Sequence, residues 1–253
     1  MTIGFRAAGA WRAGTTPLAP ALPAGLAAGD MMVMFIHAKG FAVLPSTPAG
    51  WTQLFTNTEG AVATGIDVGS VRSAAYYRAW QSGDAAPSVT ITSANVALGQ
   101  IRAYTRSLGA WATTIGGFGG DTVSDATLTL ATTGVSDITT GDWLIGGAGL
   151  PSDADLQSAQ AITATGATIG AATERVADGL TTTGNDLAAS GADAACTAGT
   201  ASASAVYTAT IAGAASRTGS GGVVRLRESA AVAVSLLVPK RPHKGLVMRG
   251  RRQ

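Results

Sequence analysis

A chain of 253 residues has room for one large all-β domain or two small ones. Gly, Ala and Thr are abundant, Lys and Glu are scarce and only 13% of residues are charged, which argues against a solvated helical bundle and against disorder driven by net charge. The net charge of +2 is unevenly placed: six of the 17 basic residues are Lys240, Arg241, Lys244, Arg249, Arg251 and Arg252, so the body before them is acidic on balance.

Residues 3–11 alternate loosely and stop before Gly14, the pattern of an edge strand. Pro17, Pro20 and Pro23 forbid a central strand or helix interior over 15–28, so an extended crossing segment is predicted there. Gly29-Asp30 then opens the apolar run 31–37, which reads as a strand buried on both faces. Pro45, Pro48 and Gly50 make a turn into 51–55, where alternation sets Trp51, Gln53 and Phe55 on one face. A small-residue loop follows at 59–69, then an aromatic-rich strand at 71–80, a short one at 89–92 and a longer one at 96–106 with Ile101, Ala103 and Thr105 on one side. The glycine-rich stretch 109–120 is expected to connect two halves.

In the second half, 127–130 alternates cleanly, Gly141-Asp142 opens another apolar run at 143–145, and 151–155 is a turn. Short strands are expected at 161–163 and 172–176, one between the turns of 184–199, and two closing ones at 207–211 and 223–227. The halves echo each other. Val89-Thr90-Ile91-Thr92 and Ile101-Arg102-Ala103-Tyr104 are answered by Tyr207-Thr208-Ala209-Thr210-Ile211 and Val223-Val224-Arg225-Leu226. The reading is an all-β, antiparallel sandwich over 1–229, built from related halves of about 1–108 and 120–229, with an extended C-terminal arm at 230–253.

Little in the chain suits catalysis. A lone cysteine, Cys196, excludes an intrachain disulfide and a multi-cysteine metal site, and reads as a small buried residue. His37 ends a buried strand, as a hydrogen-bonded structural histidine does, and His243 lies among basic neighbours. No Gly-x-Ser-x-Gly elbow presents a nucleophile. Asp153-Ala154-Asp155 is the one tight acid pair; calcium binding or glycoside hydrolysis needs such a pair, but beside Pro151 and Ser152 a solvated turn is the better reading. The aspartates of the repeated Gly-Asp, Asp30, Asp84 and Asp142, are expected to accept hydrogen bonds from the backbone that follows them. Gly116-Gly117-Phe118-Gly119-Gly120 and Gly219-Ser220-Gly221-Gly222 lack the Lys-Ser/Thr of a phosphate loop and read as hinges, bulges or turns. No catalytic residue, cofactor or metal is assigned, and the chain is read as a non-enzyme.

Two binding features remain. Aromatic residues Trp51, Tyr76, Tyr77, Trp80, Tyr104 and Trp111 either fill the core, the commoner fate, or stack on a sugar, with Trp51 and Trp80 as the candidate glycan contacts. In the arm, Leu236 and Leu237 stand beside Lys240, Arg241, Lys244, Arg249, Arg251 and Arg252, a mixture that suits an acidic protein surface better than nucleic acid. No signal peptide is seen at the N-terminus, and no apolar run reaches the length of a membrane span.

The layout resembles a group of tailed-bacteriophage virion structural proteins, among them minor tail components, that have a jelly-roll-like sandwich. The likeness covers roughly 25–228. It is carried by the strand after Gly29-Asp30, the turn Pro48-Ala49-Gly50-Trp51-Thr52, Ala75-Tyr76-Tyr77-Arg78-Ala79, Gly99-Gln100-Ile101-Arg102-Ala103-Tyr104, Ala172-Thr173-Glu174-Arg175 and Val223-Val224-Arg225-Leu226-Arg227. The family pattern continues Ala-Tyr-Arg-Gly where this chain has Ala103-Tyr104-Thr105-Arg106, and it does not account for the basic arm. The resemblance implies a non-enzymatic virion protein, made in the host cytoplasm and placed in a minor tail or tail-tip position. Its partners would be other virion proteins and copies of itself, bound through the arm. Capsid decoration, or a carbohydrate-binding module touching the host surface, is the alternative.

Overall fold

The run Met31–Lys39 is apolar at both parities, so a strand built from it needs cover on both faces. In the computed structural model of the chain it is such a strand, buried along its whole length, with Met32, Met34 and Ile36 in one cluster and Met31, Val33 and Phe35 in another. The structure describes residues 2–40, 44–59, 68–94, 96–107, 109–123, 126–152, 157–182, 185–199, 205–211 and 218–229.

All the described regular structure is β. The first half supplies β1 (Ile3–Ala8), β2 (Arg12–Gly14), β3 (Met31–Lys39), β4 (Leu44–Pro45), β5 (Thr52–Glu59), β6 (Val71–Ala79), β7 (Ile91–Thr92), β8 (Val96–Arg106) and β9 (Ala110–Trp111). The second supplies β10 (Ile115–Asp121), β11 (Thr127–Ala131), β12 (Trp143–Leu150), β13 (Gln157–Ala164), β14 (Ala167–Ile169), β15 (Thr173–Thr182), β16 (Asn185–Gly199), β17 (Ala205–Ile211), β18 (Gly219–Leu226) and β19 (Glu228–Ser229). One central sheet runs β1-β8-β3-β6-β5 and the other β10-β18-β12-β16, with β15 and β14 along β16. Every pairing is antiparallel. The two sheets face each other around Val33, Phe35, Phe55, Tyr104, Ile145 and Val224. Outside the first lie the β4–β7 pair and the proline segment, where Leu18 bridges Val89; outside the second lies the sheet β11-β17-β13. The molecule is therefore a stack of antiparallel layers, two central and two covering.

The halves correspond strand for strand. β1, β8, β3, β6 and β5 stand in the order of β10, β18, β12, β16 and β15, and β7–β4 matches β17–β13. Details agree too. Gly29 N–H donates to Trp80 C=O and Trp80 N–H to Asp30 C=O, as Gly141 donates to Cys196 and Cys196 to Asp142. A bulge falls between Gln53 and Phe55 on β5 and at the equivalent place, between Glu174 and Val176, on β15. β5 lies against β10, β6 against β18, β3 against β12 and β8 against β16, the reversed order of a twofold pair whose axis runs along β3.

The bulge corrects one expectation: it flips parity after Gln53, so Trp51 packs in the outer cluster while Phe55 enters the space between the central sheets. The glycine clusters correct another. Gly116-Gly117-Phe118-Gly119-Gly120 is most of β10 and Gly219-Ser220-Gly221-Gly222 is the start of β18, paired from Phe118↔Gly222 to Asp121↔Gly219. They are strand interior because neighbouring layers leave no room for Cβ atoms. Gly222, Gly147 and Gly191 sit side by side across three strands. A Cβ would come within 2.6 Å of the Phe55 ring at Gly222, within 2.6 Å of the Phe35 ring at Gly147, and would overlap the Arg102 guanidinium at Gly191. Phe55, Phe35 and Arg102 thus lie in a trough of missing side chains. Their rings are 6.3 Å apart and the guanidinium is 5.2 Å from Phe35.

Candidate functional site

Among the described residues, polar side chains gather between the central sheets, at the Gly-Asp turns, and under the covering sheet of the second half, where the Tyr207 hydroxyl lies 2.8 Å from Ser190 Oγ and donates to Gln160 Oε1 at 2.7 Å. Between the sheets, alternation along β8 points Gln100, Arg102 and Tyr104 inward. Arg102 is fully buried. Its Nε donates to Gln100 Oε1 at 3.0 Å and Nη1 to the Gly146 carbonyl at 2.9 Å, stitching β8 to β12. At one end of the interface Tyr104 donates to Asp193 Oδ2 at 3.0 Å, and Arg175 grips both Asp193 oxygens at 2.7 and 2.8 Å while its guanidinium lies 3.6 Å from the Phe5 ring centre. Burial, with the neighbouring Asp193 charge, holds the Tyr104 hydroxyl well above the usual tyrosine range.

At the other end stand His37, Lys39 and Ser73, all inaccessible to solvent. His37 Nδ1 is 2.7 Å from Ser73 Oγ, the spacing of a base and its nucleophile. The direction is wrong for that role. Ser73 donates its one hydroxyl proton to the Ser220 carbonyl at 2.6 Å, so His37 must be the donor through Nδ1–H, and it is neutral. Burial, assisted by Arg102, lowers its pKa to about 3. Lys39 Nζ donates to the Pro151 carbonyl at 3.1 Å. The pair links β3 and β6 to β18, and Lys39 links β3 to the end of β12. His37 is the hydrogen-bonded structural histidine that its place in the sequence suggests.

The three Gly-Asp turns share one design. Gly29, Gly83 and Gly141 have φ of 89°, 89° and 92°, which a side chain disfavours. Each following aspartate donates its N–H to the carbonyl three residues earlier and accepts that residue's N–H on its carboxylate: Ala27 to Asp30 at 2.8 Å, Gln81 to Asp84 at 2.9 Å, Thr139 to Asp142 at 2.8 Å. The acceptor therefore serves the backbone before it, which corrects the sequence expectation of the backbone after it. Each carboxylate also holds an arginine: Arg6 on Asp30, Arg78 on Asp84, and Arg227 on Asp142 through two contacts of 2.7 Å. The Asp142 hydrogen bond raises the Arg227 pKa above its ordinary value. Two of these turns border cavities, one of about 330 Å³ at Thr139–Asp142 with Arg227 and Glu228, and one of about 400 Å³ between Trp51, Pro48, Arg78, Asp84 and Pro87.

Trp51, at 6% exposure, and half-buried Trp80, the candidate glycan contacts, pack in the outer cluster of the first sheet. Tyr76 and Tyr104 are fully buried, and Cys196 is a buried free thiol. The arm residues Leu236, Leu237, Lys240, Arg241, Lys244, Arg249, Arg251 and Arg252, together with His243, Asp153 and Asp155, lie outside the described residues. Among the described residues no three His, Cys, Asp or Glu side chains gather as metal ligands would. Sequence reasoning missed the roles of Arg102, Arg175 and Asp193. The signal for Arg102 was its parity, opposite to Ile101 and Ala103 on a strand too apolar to face water. Comparison with known families, with characterised proteins and with solved structures finds no match for the chain.

Proposed function

We propose that the chain is a non-enzymatic structural component of a tailed-bacteriophage particle, a minor tail or tail-tip protein that joins other virion proteins and copies of itself through residues 230–253. The observation that carries this reading is the use made of the polar residues: Arg102, His37, Ser73, Tyr104, Asp193 and Lys39 are buried between layers and join one sheet to the next. Such wiring makes a rigid block. The packing of several antiparallel sheets against one another adds support, because a β-sandwich is the architecture the sequence resemblance implies. Tail placement over capsid decoration rests on the sequence resemblance alone. The experiment is complementation of a phage lacking this gene product by the full chain or by residues 1–229, with mass spectrometry of purified particles. Incorporation of the full chain only is expected; a truncated chain found in particles at the same copy number overturns the role of the arm, and particles free of the full chain overturn the virion assignment.

A glycan-binding reading has one observation in its favour, the cavity of about 400 Å³ where Trp51 meets Arg78 and Asp84. A glycan array probed with the full chain and with Arg78→Ala tests it. Binding to one sugar class that the variant loses supports it, and an array without signal removes it.

A further inference from the structure

The three Gly-Asp turns differ in how fully their ion pairs are made. Arg6 and Arg227 each grip both oxygens of their aspartate through Nε and Nη2, so with the backbone N–H each of those carboxylates accepts three bonds among the described residues. Asp84 accepts two: Arg78 Nη2 on Oδ1 and the Gln81 N–H on Oδ2 at 2.9 Å. A carboxylate has about four lone-pair sites and a guanidinium five N–H groups, so Asp84 keeps acceptors in hand and Arg78 keeps donors. The other bond of Arg78, from Nη1 to the Ala49 carbonyl, is 3.5 Å long and weak. Gly50, at φ 77°, lets the turn into Trp51 come against the guanidinium and hold it in place. Both unfinished groups lie on the wall of the cavity of about 400 Å³, where Pro48, Trp51, Ala86 and Pro87 supply an apolar surface.

A group that completes this pair must give a proton to Asp84 and accept one from Arg78 in the same place. A carboxylate only accepts and an ammonium only donates, whereas a hydroxyl does both. Two neighbouring hydroxyls on one ring match a carboxylate and a guanidinium set side by side, and the C–H faces of that ring suit the proline and indole surface. The paired charges of Arg78 and Asp84 cancel, so the wall recruits neither an anion nor a cation. We infer that this cavity binds a neutral pyranose at the end of a glycan through an unsubstituted vicinal diol, one hydroxyl on Asp84 and the other on Arg78. A volume at the small end of the roughly 300–1,000 Å³ of ligand pockets suits a single ring. This choice of sugar rests on the glycan-binding reading of the cavity and narrows it to one chemistry.

The test is an array of glycans ending in neutral, sialic-acid and uronic-acid sugars probed with the full chain, then amide NMR titration with the methyl glycoside of the leading hexose and with its monodeoxy forms. Signal on glycans ending in a neutral hexose is expected, with saturable shifts in residues 48–51 and 78–88. Removing either of two adjacent hydroxyls should weaken binding at least about tenfold, since a hydrogen bond to a charged group contributes more than one decade. Arg78→Lys keeps the charge beside Asp84 without the fork and should lose at least about tenfold as well. If that variant also lowers the urea midpoint, the deoxy sugars, which need no variant, decide. An array led by sialic-acid or uronic-acid sugars overturns the neutral diol and leaves the glycan-binding reading standing, whereas an array without signal removes both. Deoxy sugars that all bind as well as the parent, or shifts elsewhere on the surface, overturn the diol too.

Discussion

Replacing Gly147 by alanine adds one methyl group where the two central sheets touch. The new Cβ would lie 2.6 Å from Phe35 Cδ1 and 2.9 Å from its Cε1 and Cγ, whereas carbon atoms settle at about 3.5–4.0 Å. The ring would have to retreat by roughly 1 Å. It has nowhere to go, being fully buried with the Arg102 guanidinium 5.2 Å away on one side and Phe55 at 6.3 Å on another. Overpacking of this kind costs about 1–3 kcal/mol. Losing a flexible glycine from a strand returns about 0.5–1 kcal/mol, so a net loss of about 1–2 kcal/mol is expected. Urea unfolding should report it as a lower midpoint with an unchanged slope. Phe35→Leu in the same background makes room for the methyl, so the double variant should be more stable than the sum of the single losses predicts, by about 0.5–2 kcal/mol. A neutral or stabilised Gly147→Ala, or strict additivity with Phe35→Leu, refutes the account of the glycine trough.

Trp51→Ala should cost about 3–5 kcal/mol, the loss of a packed aromatic side chain, and a circular-dichroism melt unchanged by it would contradict the burial of that ring. His37 gives a pH dependence whose sign is fixed by its lowered pKa. Above its ordinary value of 6.5 it is neutral folded and unfolded; as pH falls from 6.5 toward about 3 only the unfolded chain takes the proton, so stability declines by about 1.4 kcal/mol per pH unit. Urea midpoints that stay level from neutral pH to pH 5 would falsify the neutral, buried state. Asp142→Ala strips an acceptor from the Thr139 N–H and from Arg227 and should cost about 2–3 kcal/mol, more than Asp84→Ala, since the Asp142 side chain is 1% exposed and that of Asp84 12%. Equal losses at the two positions would show that burial does not set the strength of these turns.

Much of the layering was legible in the sequence. The two-sided apolar run at 31–37 required cover on both faces, and the repeated Gly-Asp in front of it and of 143–145 marked two turns that hold the same hydrogen bonds. What stayed hidden has a common cause. A glycine in a sequence reports either freedom of the backbone or the absence of a Cβ, and which one applies at Gly147 or Gly222 depends on a ring contributed by a distant strand. The bulge at Leu54 likewise moved Phe55 to the opposite face from Trp51 without any local mark, and although parity set Arg102 opposite Ile101 and Ala103, nothing near it in the chain named the carbonyl across the sheets that it faces. The turn arginines Arg6, Arg78 and Arg227 come from three separate strand neighbourhoods, so their convergence on three aspartates is a property of the pairing.

Where two identical subunits meet along a twofold axis, each axial residue touches its own twin, and any mutation there strikes both sides together. Here Phe35 faces Gly147 and His37 faces Gly149, each the counterpart of the other in its half. One gene position can grow while its opposite shrinks. Because the two halves of this one polypeptide differ in sequence, a plug and a socket stand where exact symmetry would place two plugs or two sockets.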